Sequence, residues 1–485
     1  MCTLNQRLPA ALALLAVAVL ARGAKAGDGD DRYVAIHCGR LITGTPGDNE
    51  KEKVTVLIKN GKVELIGEKV ELPHPCEVID ASHFTVMPGH VHLHSRLSLL
   101  DYQRGGMRAD LKVADEFLPA PEAFDAALAA GFTTLQLVAP GSSGIPGRCM
   151  VVRTADVGGG LVVDDDGAVK VNLLNPAQDR RTLADALNGA KKAIEAVDKA
   201  RADFEAKKKA AEEAKKKEEE AKKQQGSPQG GPPGQPPQPS PPSPSPAPSP
   251  APSPKEGEPP KPEQPQKPEE KKEEIFQPPP IAPPLQPFVD LIQKKPGAFA
   301  LVRLGGASTW LHFVEATKDF EVAHAIYPEV MPARGRPQAF SGVGSTDLQW
   351  VAKQVGEKKE LVVLAPYLSY SQGSVDYVNV PKEMAAAGAR LALTPANDSP
   401  DELAAWRFNV GELVKGGLKR ADAIAAMTKN AAEAAGVADR LGTIEPGRDA
   451  DLVLLSGDPF DVQTTVERVV IEGTVVWSRA KKGRS

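Results

Sequence analysis

The sequence is poor in several things at once. Cysteine occurs only four times in 485 residues, and no two cysteines stand in a CxxC spacing, which argues against a cysteine-held metal cluster. Aromatic residues make up 5% of the chain, so its core must rest on Val, Leu and Ala. There is no surplus of positive charge. The formal net charge of −4 leaves no basic face of the kind a nucleic-acid binder needs. Long apolar runs are also absent, apart from Leu8 to Ala21 near the N-terminus, which is shorter than the ~20 residues of a spanning helix.

That one run has an address-like setting. Arg7 precedes it and Ala24-Lys25-Ala26 follows as a small-x-small cleavage site. The expectation is a signal peptide over 1–26, removal of Cys2, and an exported chain, periplasmic or extracellular, without a stable membrane span; a retained anchor is the alternative. Export makes a disulfide permissible. Cys38 and Cys76 both fall in β-like segments, so either they pair and Cys149 is free, or all three remain thiols.

Proline is abundant but unevenly spread, with 25 of the 45 prolines between Pro228 and Pro287. Residues 226–287 therefore read as a disordered, polyproline-type insertion that builds no core. Before it, 191–225 lacks a core-facing stripe. With Glu–Lys neighbours three or four apart, it predicts a solvated single helix ~50 Å long. The arm is either a tolerated loop expansion or a spacer that docks a protein partner.

The rest reads as a discontinuous fold. Residues 27–85 carry alternating strand patterns, with Asn60-Gly61 as a tight hairpin turn. The C-terminal 441–485 repeats the theme around Glu472-Gly473, which suggests one small β domain built from both termini. Between them, 86–190 and 288–440 alternate helix and strand, the pattern of a parallel sheet wrapped by helices.

Chemistry concentrates in Val86-Met87-Pro88-Gly89-His90-Val91-His92-Leu93-His94-Ser95-Arg96, which holds three of the eight histidines. On a strand, alternate residues share a face, so His90, His92, His94 and Arg96 are expected to project together. Imidazoles at that spacing suit one divalent metal, most often zinc.

This segment resembles the first barrel strand of the amidohydrolase superfamily. "AALAAGFTTLQLVAPGSSGIPG" (126–147) resembles that family's Ala-Gly-x-Thr-Thr strand and the loop of imidazolonepropionase-like members. "TKNAAEAAGV" (428–437) and "ADRLGTIEPGRDADLVLLSGDP" (438–459) are similar to its C-terminal helix and signature. The resemblance implies an α/β fold: a distorted (β/α)8 TIM-type barrel plus a small β-sandwich domain. It also implies a metal-activated water that hydrolyses non-peptide C–N bonds of a small-molecule substrate, amides or cyclic ureides. Dimers are common among such proteins, so a homodimer is the expectation it carries.

The family's register also exposes departures. Counted from Pro88-Gly89, the ligand positions fall on His94 and Arg96, and Arg binds no metal. The literal pair His92-His94 is shifted back two residues, ~6–7 Å deeper along the strand. Arg303 stands where the family has a strand-ending His. His324 is the better of two later histidines as a third ligand, His312 lying in a helix-like stretch. Ala396 takes the place of the last-strand Asp. Asp398, two residues later, is either a displaced catalytic Asp or the cap of the helix near Pro400. Three readings follow: a remodelled zinc hydrolase using His92, His94, His324 and Asp398; a non-catalytic relative whose Arg96 and Arg303 hold an anionic ligand; and a cell-envelope spacer that works through the arm.

Overall fold

The computed structural model describes residues 31–45, 47, 50–100, 105–174, 176–224, 275–328, 346–370 and 377–480. The expected signal peptide and most of the proline-rich insertion lie outside the described residues. The chain divides into two units, 1–193 with 281–485, and 194–280. No helix among the described residues is long and apolar enough to cross a membrane.

The first unit opens with β1 (Tyr33–Ile42), β2 (Glu50–Lys59), β3 (Lys62–Gly67) and β4 (Cys76–Pro88). The β2–β3 hairpin turns at Asn60 and Gly61, with φ of 50° and 81°, as the dipeptide predicts. β4 passes through Gly89 into β5 (His90–Ser95). Next come α1 (Asp125–Ala129), β6 (Phe132–Leu137), β7 (Gly147–Arg148), β8 (Met150–Arg153), β9 (Val162–Asp164), β10 (Val169–Leu173) and the long α2 (Pro176–Gln224). After the insertion follow α3 (Gln286–Ile292), β11 (Ala300–Leu304), α4 (Ala307–Thr317), β12 (His324–Pro328), α5 (Ala352–Glu357) and β13 (Leu361–Leu364). Then come the short ladder β14 (Ser369–Tyr370) and β15 (Tyr377–Val378), α6 (Val380–Ala387), β16 (Arg390–Leu393), α7 (Pro400–Lys415), α8 (Arg420–Met427) and α9 (Lys429–Ala434). Strands β17 (Leu452–Leu455), β18 (Val466–Ile471) and β19 (Thr474–Ser478) close the unit.

Both termini do share a sheet. Where the sequence suggests a sandwich, hydrogen bonding runs through seven strands as one sheet, β19-β18-β17-β4-β1-β2-β3. Its apolar face joins Ile36, Val56 and Ile79 to Leu452, Leu454 and Val470 in one core. The register also settles the cysteines. Cys76 lies opposite Tyr33 and Cys38 opposite Ala81. They are therefore about five residues apart along parallel strands, ~16 Å at 3.3 Å per residue, beyond disulfide reach. All three cysteines are free thiols, Cys38 and Cys149 buried.

The parallel strands form two arcs among the described residues: β16-β13-β12-β11-β10 with short β7 at its edge, and β5-β6 continued by antiparallel β8 and β9. Hydrogen-bonded ladders do not join the arcs into the eight-stranded ring that the resemblance implies. One core nevertheless fills both, with Val91, Leu93 and Val151 from one arc and Leu301, Ala325, Val363 and Ala392 from the other. Alanines of α9 join this core. Thr428 (φ −128°, ψ −93°) separates α8 from α9.

The charged helix begins earlier than the expected residue 191. Leu183, Ala186, Leu187 and Ala190 are buried at helical spacing, so the first turns of α2 belong to the core of the first unit. In the second unit the helix is largely exposed, and Phe276 of the returning chain meets Phe204 at 5.5 Å and Arg201 at 5.7 Å.

Candidate functional site

The first strand is not a uniform histidine face. β5 pairs with β6 through irregularities after His90 and after His92. Val91 and Leu93 face the barrel core, while the rings of His90 and His92 pack on Phe132 at 5.8 and 5.7 Å. His90 also meets Trp406 of α7 at 6.0 Å. Neither nitrogen of His90 has a hydrogen-bond partner, and burial together with the charge of Arg407 pushes its pKa down to about 3. His94, within the second irregularity, turns towards β12 of the other arc, where its Nε2 meets the Tyr327 hydroxyl at 2.7 Å. The expected common face of His90, His92, His94 and Arg96 is therefore broken by local register.

The hydrogen bonds fix the tautomer of His92. The backbone N–H of His94 donates to its Nδ1 at 3.3 Å, so Nδ1 is an acceptor. The Thr394 hydroxyl, which accepts from Leu93 N at 2.9 Å, is 2.9 Å from the same nitrogen and donates to it. The ring proton is then on Nε2, 3.1 Å from Asp398 Oδ1, although the pair is poorly aligned for a hydrogen bond. Asp398 also accepts from Arg96 N at 2.8 Å. Burial raises its pKa, but the contacts from His92, Arg96 N and Ser95 outweigh that and hold the carboxyl below its ordinary value. Asp398 does not cap α7. Ser399 does, accepting from Glu402 N, which leaves Asp398 turned to the first strand.

His324 is the clearest correction. It begins β12 rather than ending it, with Nε2 2.6 Å from Glu360 and Nδ1 2.8 Å from the Val322 carbonyl. The mouth end of that strand carries Tyr327 instead. His312 lies on α4, as its surroundings predict. The residues present do not fit a zinc centre. His92 commits Nδ1 to Thr394 and holds Nε2 against Asp398, His324 is at the far end of its strand against Glu360, and the places where the resemblance expects ligands carry Arg96 and Arg303. No group of three His, Cys, Asp or Glu side chains among the described residues is arranged to hold a metal.

What does converge is cationic. Register puts Asn172, Arg303 and Tyr327 on one rung and Lys170, Leu301 and Ala325 on the rung below. Leu301 and Ala325 belong to the inner core, so Lys170 and Arg303 share the inner face. Lys170 Nζ donates to the carbonyls of Ala139 and Gly141 at 2.7 and 3.0 Å. Burial, with the charges of Arg303 and Arg96, lowers its pKa to about 8. Burial and the charges of Lys170 and Arg303 also drive His94 well below its ordinary value, so its imidazole is neutral. Sequence reasoning missed Lys170, Tyr327 and Thr394. A polar residue interrupting an apolar strand, as in Val169-Lys170-Val171-Asn172-Leu173, was the available signal for the first.

The signature segments meet elsewhere, at the foot of β5. A side chain at Gly89 would fall 2.1 Å from Thr133 Oγ1, and one at Gly131 would crowd Val453 and His90. Gly89 N donates to the Asp451 carbonyl at 2.9 Å. Buried Arg153 reaches Asp449 at 2.8 Å, Asp451 at 3.0 Å and Glu472 at 2.7 Å. Pro-Gly, Ala-Gly-x-Thr-Thr and the C-terminal signature are thus three sides of one structural knot.

Comparison with known proteins agrees with this picture. Residues 382–477 match the sequence model of the amidohydrolase family. The crystal structure of an amidohydrolase from Thermotoga maritima shares the fold: 21% identity, TM-score 0.60, covering 92% of this chain and 100% of that one. Molinate hydrolase is 14% identical (TM-score 0.46, 92% and 95% covered). A zinc-bound adenosine deaminase from Xanthomonas campestris is 13% identical (TM-score 0.40, 91% and 92% covered). No curated protein matches. The family match covers the C-terminal segment 382–477, and the likeness to the Thermotoga maritima structure is one of fold.

Proposed function

We propose that this exported amidohydrolase-fold protein holds a small anionic ligand, a carboxylate or a phosphate ester, at the mouth of its barrel. One observation carries the reading: Lys170 lies within electrostatic reach of Arg96 and Arg303, and His94 within reach of Lys170 and Arg303, the two arginines standing where the resemblance expects metal ligands. Guanidinium groups suit planar or tetrahedral oxyanions and repel a metal cation. Lys170, with a pKa near 8, is mostly protonated at neutral pH and adds to the field. Tyr327 and neutral His94 supply hydrogen bonds around it.

A second reading, hydrolysis of an amide or cyclic ureide, draws on the Asp398–His92 contact. A low-pKa carboxylate beside an Nε2–H imidazole is a fit place for handling a proton.

The test is thermal stability and calorimetric titration of the purified chain with phosphate and small dicarboxylates, together with elemental analysis. The expected result is saturable anion binding that Arg96→Ala/Arg303→Ala removes, with substoichiometric metal. About one zinc per chain, lost in His92→Ala/His94→Ala and accompanied by amide turnover, would overturn the first reading in favour of the second.

A further inference from the structure

A second cleft, outside the barrel mouth, lies among α1, the first turns of α7 and the loop between β17 and β18. It encloses about 390 Å³, a volume suited to a small molecule. Leu403, Ala404, Phe408 and Val462 give it apolar walls. Phe408 and Val462 keep 48% and 63% of their surface exposed, unusual for large apolar side chains.

The cleft also contains two cations. Arg407 is half-buried, yet its guanidinium has only neutral partners: Nη2 donates to the Thr464 carbonyl at 2.6 Å and Nη1 to that of Pro459 at 3.4 Å. No carboxylate among the described residues stands within ion-pair distance of it. Arg479 lines the same cleft, with Glu467 only loosely engaged at 3.9 Å. Burial, then the charge of Arg479, lowers the Arg407 pKa to about 10. A single lining carboxylate, Asp461, stands against the pair, and one of its oxygens accepts from Gln463 N to close a turn. A half-buried guanidinium facing another cation is an unfavourable arrangement that an incoming anion relieves. An apolar wall beside it favours an anion that carries an apolar body.

We propose that this cleft binds a small monocarboxylate with a compact apolar body, the carboxylate against Arg407 and Arg479 and the apolar part on Phe408 and Val462. Titration calorimetry of the full chain with benzoate and hexanoate tests it, with benzyl alcohol, hexanol and inorganic phosphate as comparators. The expected result is one-site carboxylate binding, at least about tenfold tighter than the neutral isosteres or phosphate. Arg479→Gln, at an exposed position, and Ala404→Trp, which fills the cleft, should each weaken it about tenfold or more while the chain stays folded. Arg96→Ala/Arg303→Ala should leave it unchanged, which separates this cleft from the barrel mouth. Absence of saturable binding, equal affinity for the alcohols, unchanged affinity in both cleft variants, or loss only in the barrel-mouth variant would each overturn the proposal.

Discussion

The two ends of β5 obey different rules. At its foot, Gly89, Gly131, Thr133, Arg153, Asp449 and Asp451 are locked by contact, and all but Arg153 fall in segments that resemble family signatures. At its mouth, about 23 Å away at ~3.3 Å per residue from Gly89 to Arg96, the places where the resemblance expects metal ligands carry Arg96 and Arg303, and Tyr327 meets His94. The foot requires residue identity because backbones touch and charges are buried there. The mouth can change its chemistry while the fold persists.

Breaking the foot should cost the most. Arg153→Met strands buried Asp451 without its cationic partner, while Asp449 keeps Lys62 and Arg440, and chemical denaturation should show a loss of about 3–5 kcal/mol. Restoration by Asp451→Asn would confirm stranded charge as the cause; a loss below about 1 kcal/mol would remove the knot's claim to hold the fold. Gly89→Ala follows, at about 1–3 kcal/mol of overpacking against Thr133, partly relieved by Thr133→Ala. Full stability in Gly89→Ala would mean that the strands separate readily.

The histidines sharpen the comparison, since one belongs to each end. His90 and His94 are both held neutral. Their ordinary pKa is about 6.5. Below that pH the unfolded chain takes up protons that the folded chain refuses. Stability should therefore be complete above about pH 6.5 and decline as pH falls towards the folded-state value of about 3 for His90. Each histidine adds at most about 1.4 kcal/mol per pH unit. His90→Leu should flatten the urea-midpoint profile; a slope untouched by it and abolished by His94→Leu would assign the sensitivity to the mouth alone. The smallest effect on stability belongs to Arg303→Ala, expected within about 0.5 kcal/mol in the same unfolding assay while anion binding is lost. A large destabilisation there would make the mouth as structural as the foot.

The hairpin at Asn60-Gly61 and the shared terminal sheet were legible because turn chemistry and alternation are local. The signature segments were legible for a related reason: steric contact between backbones tolerates few residue types. The site was less so. Strand alternation predicts one histidine face, but two register shifts in β5 depend on how β6 packs, which no spacing within β5 reveals. His324 was misplaced because a strand's start and end look alike in "FEVAHAI"; only pairing with Ala300 shows that it opens β12. Asp398 was read against a helix cap that the neighbouring Ser399 supplies better. Arg96 and Arg303 stood out because a guanidinium in a ligand place contradicts the chemistry expected there.

The terminal sheet has a consequence in time. β4 lies between β1, made early in synthesis, and β17, made near the end. Until Leu452–Leu455 has left the ribosome, residues from Thr85 to Pro88 present an open edge, and Gly89 lacks the Asp451 carbonyl that anchors β5. The strand that leads into the barrel is therefore secured last, and a chain interrupted before residue 449 is born with its most adhesive edge uncovered.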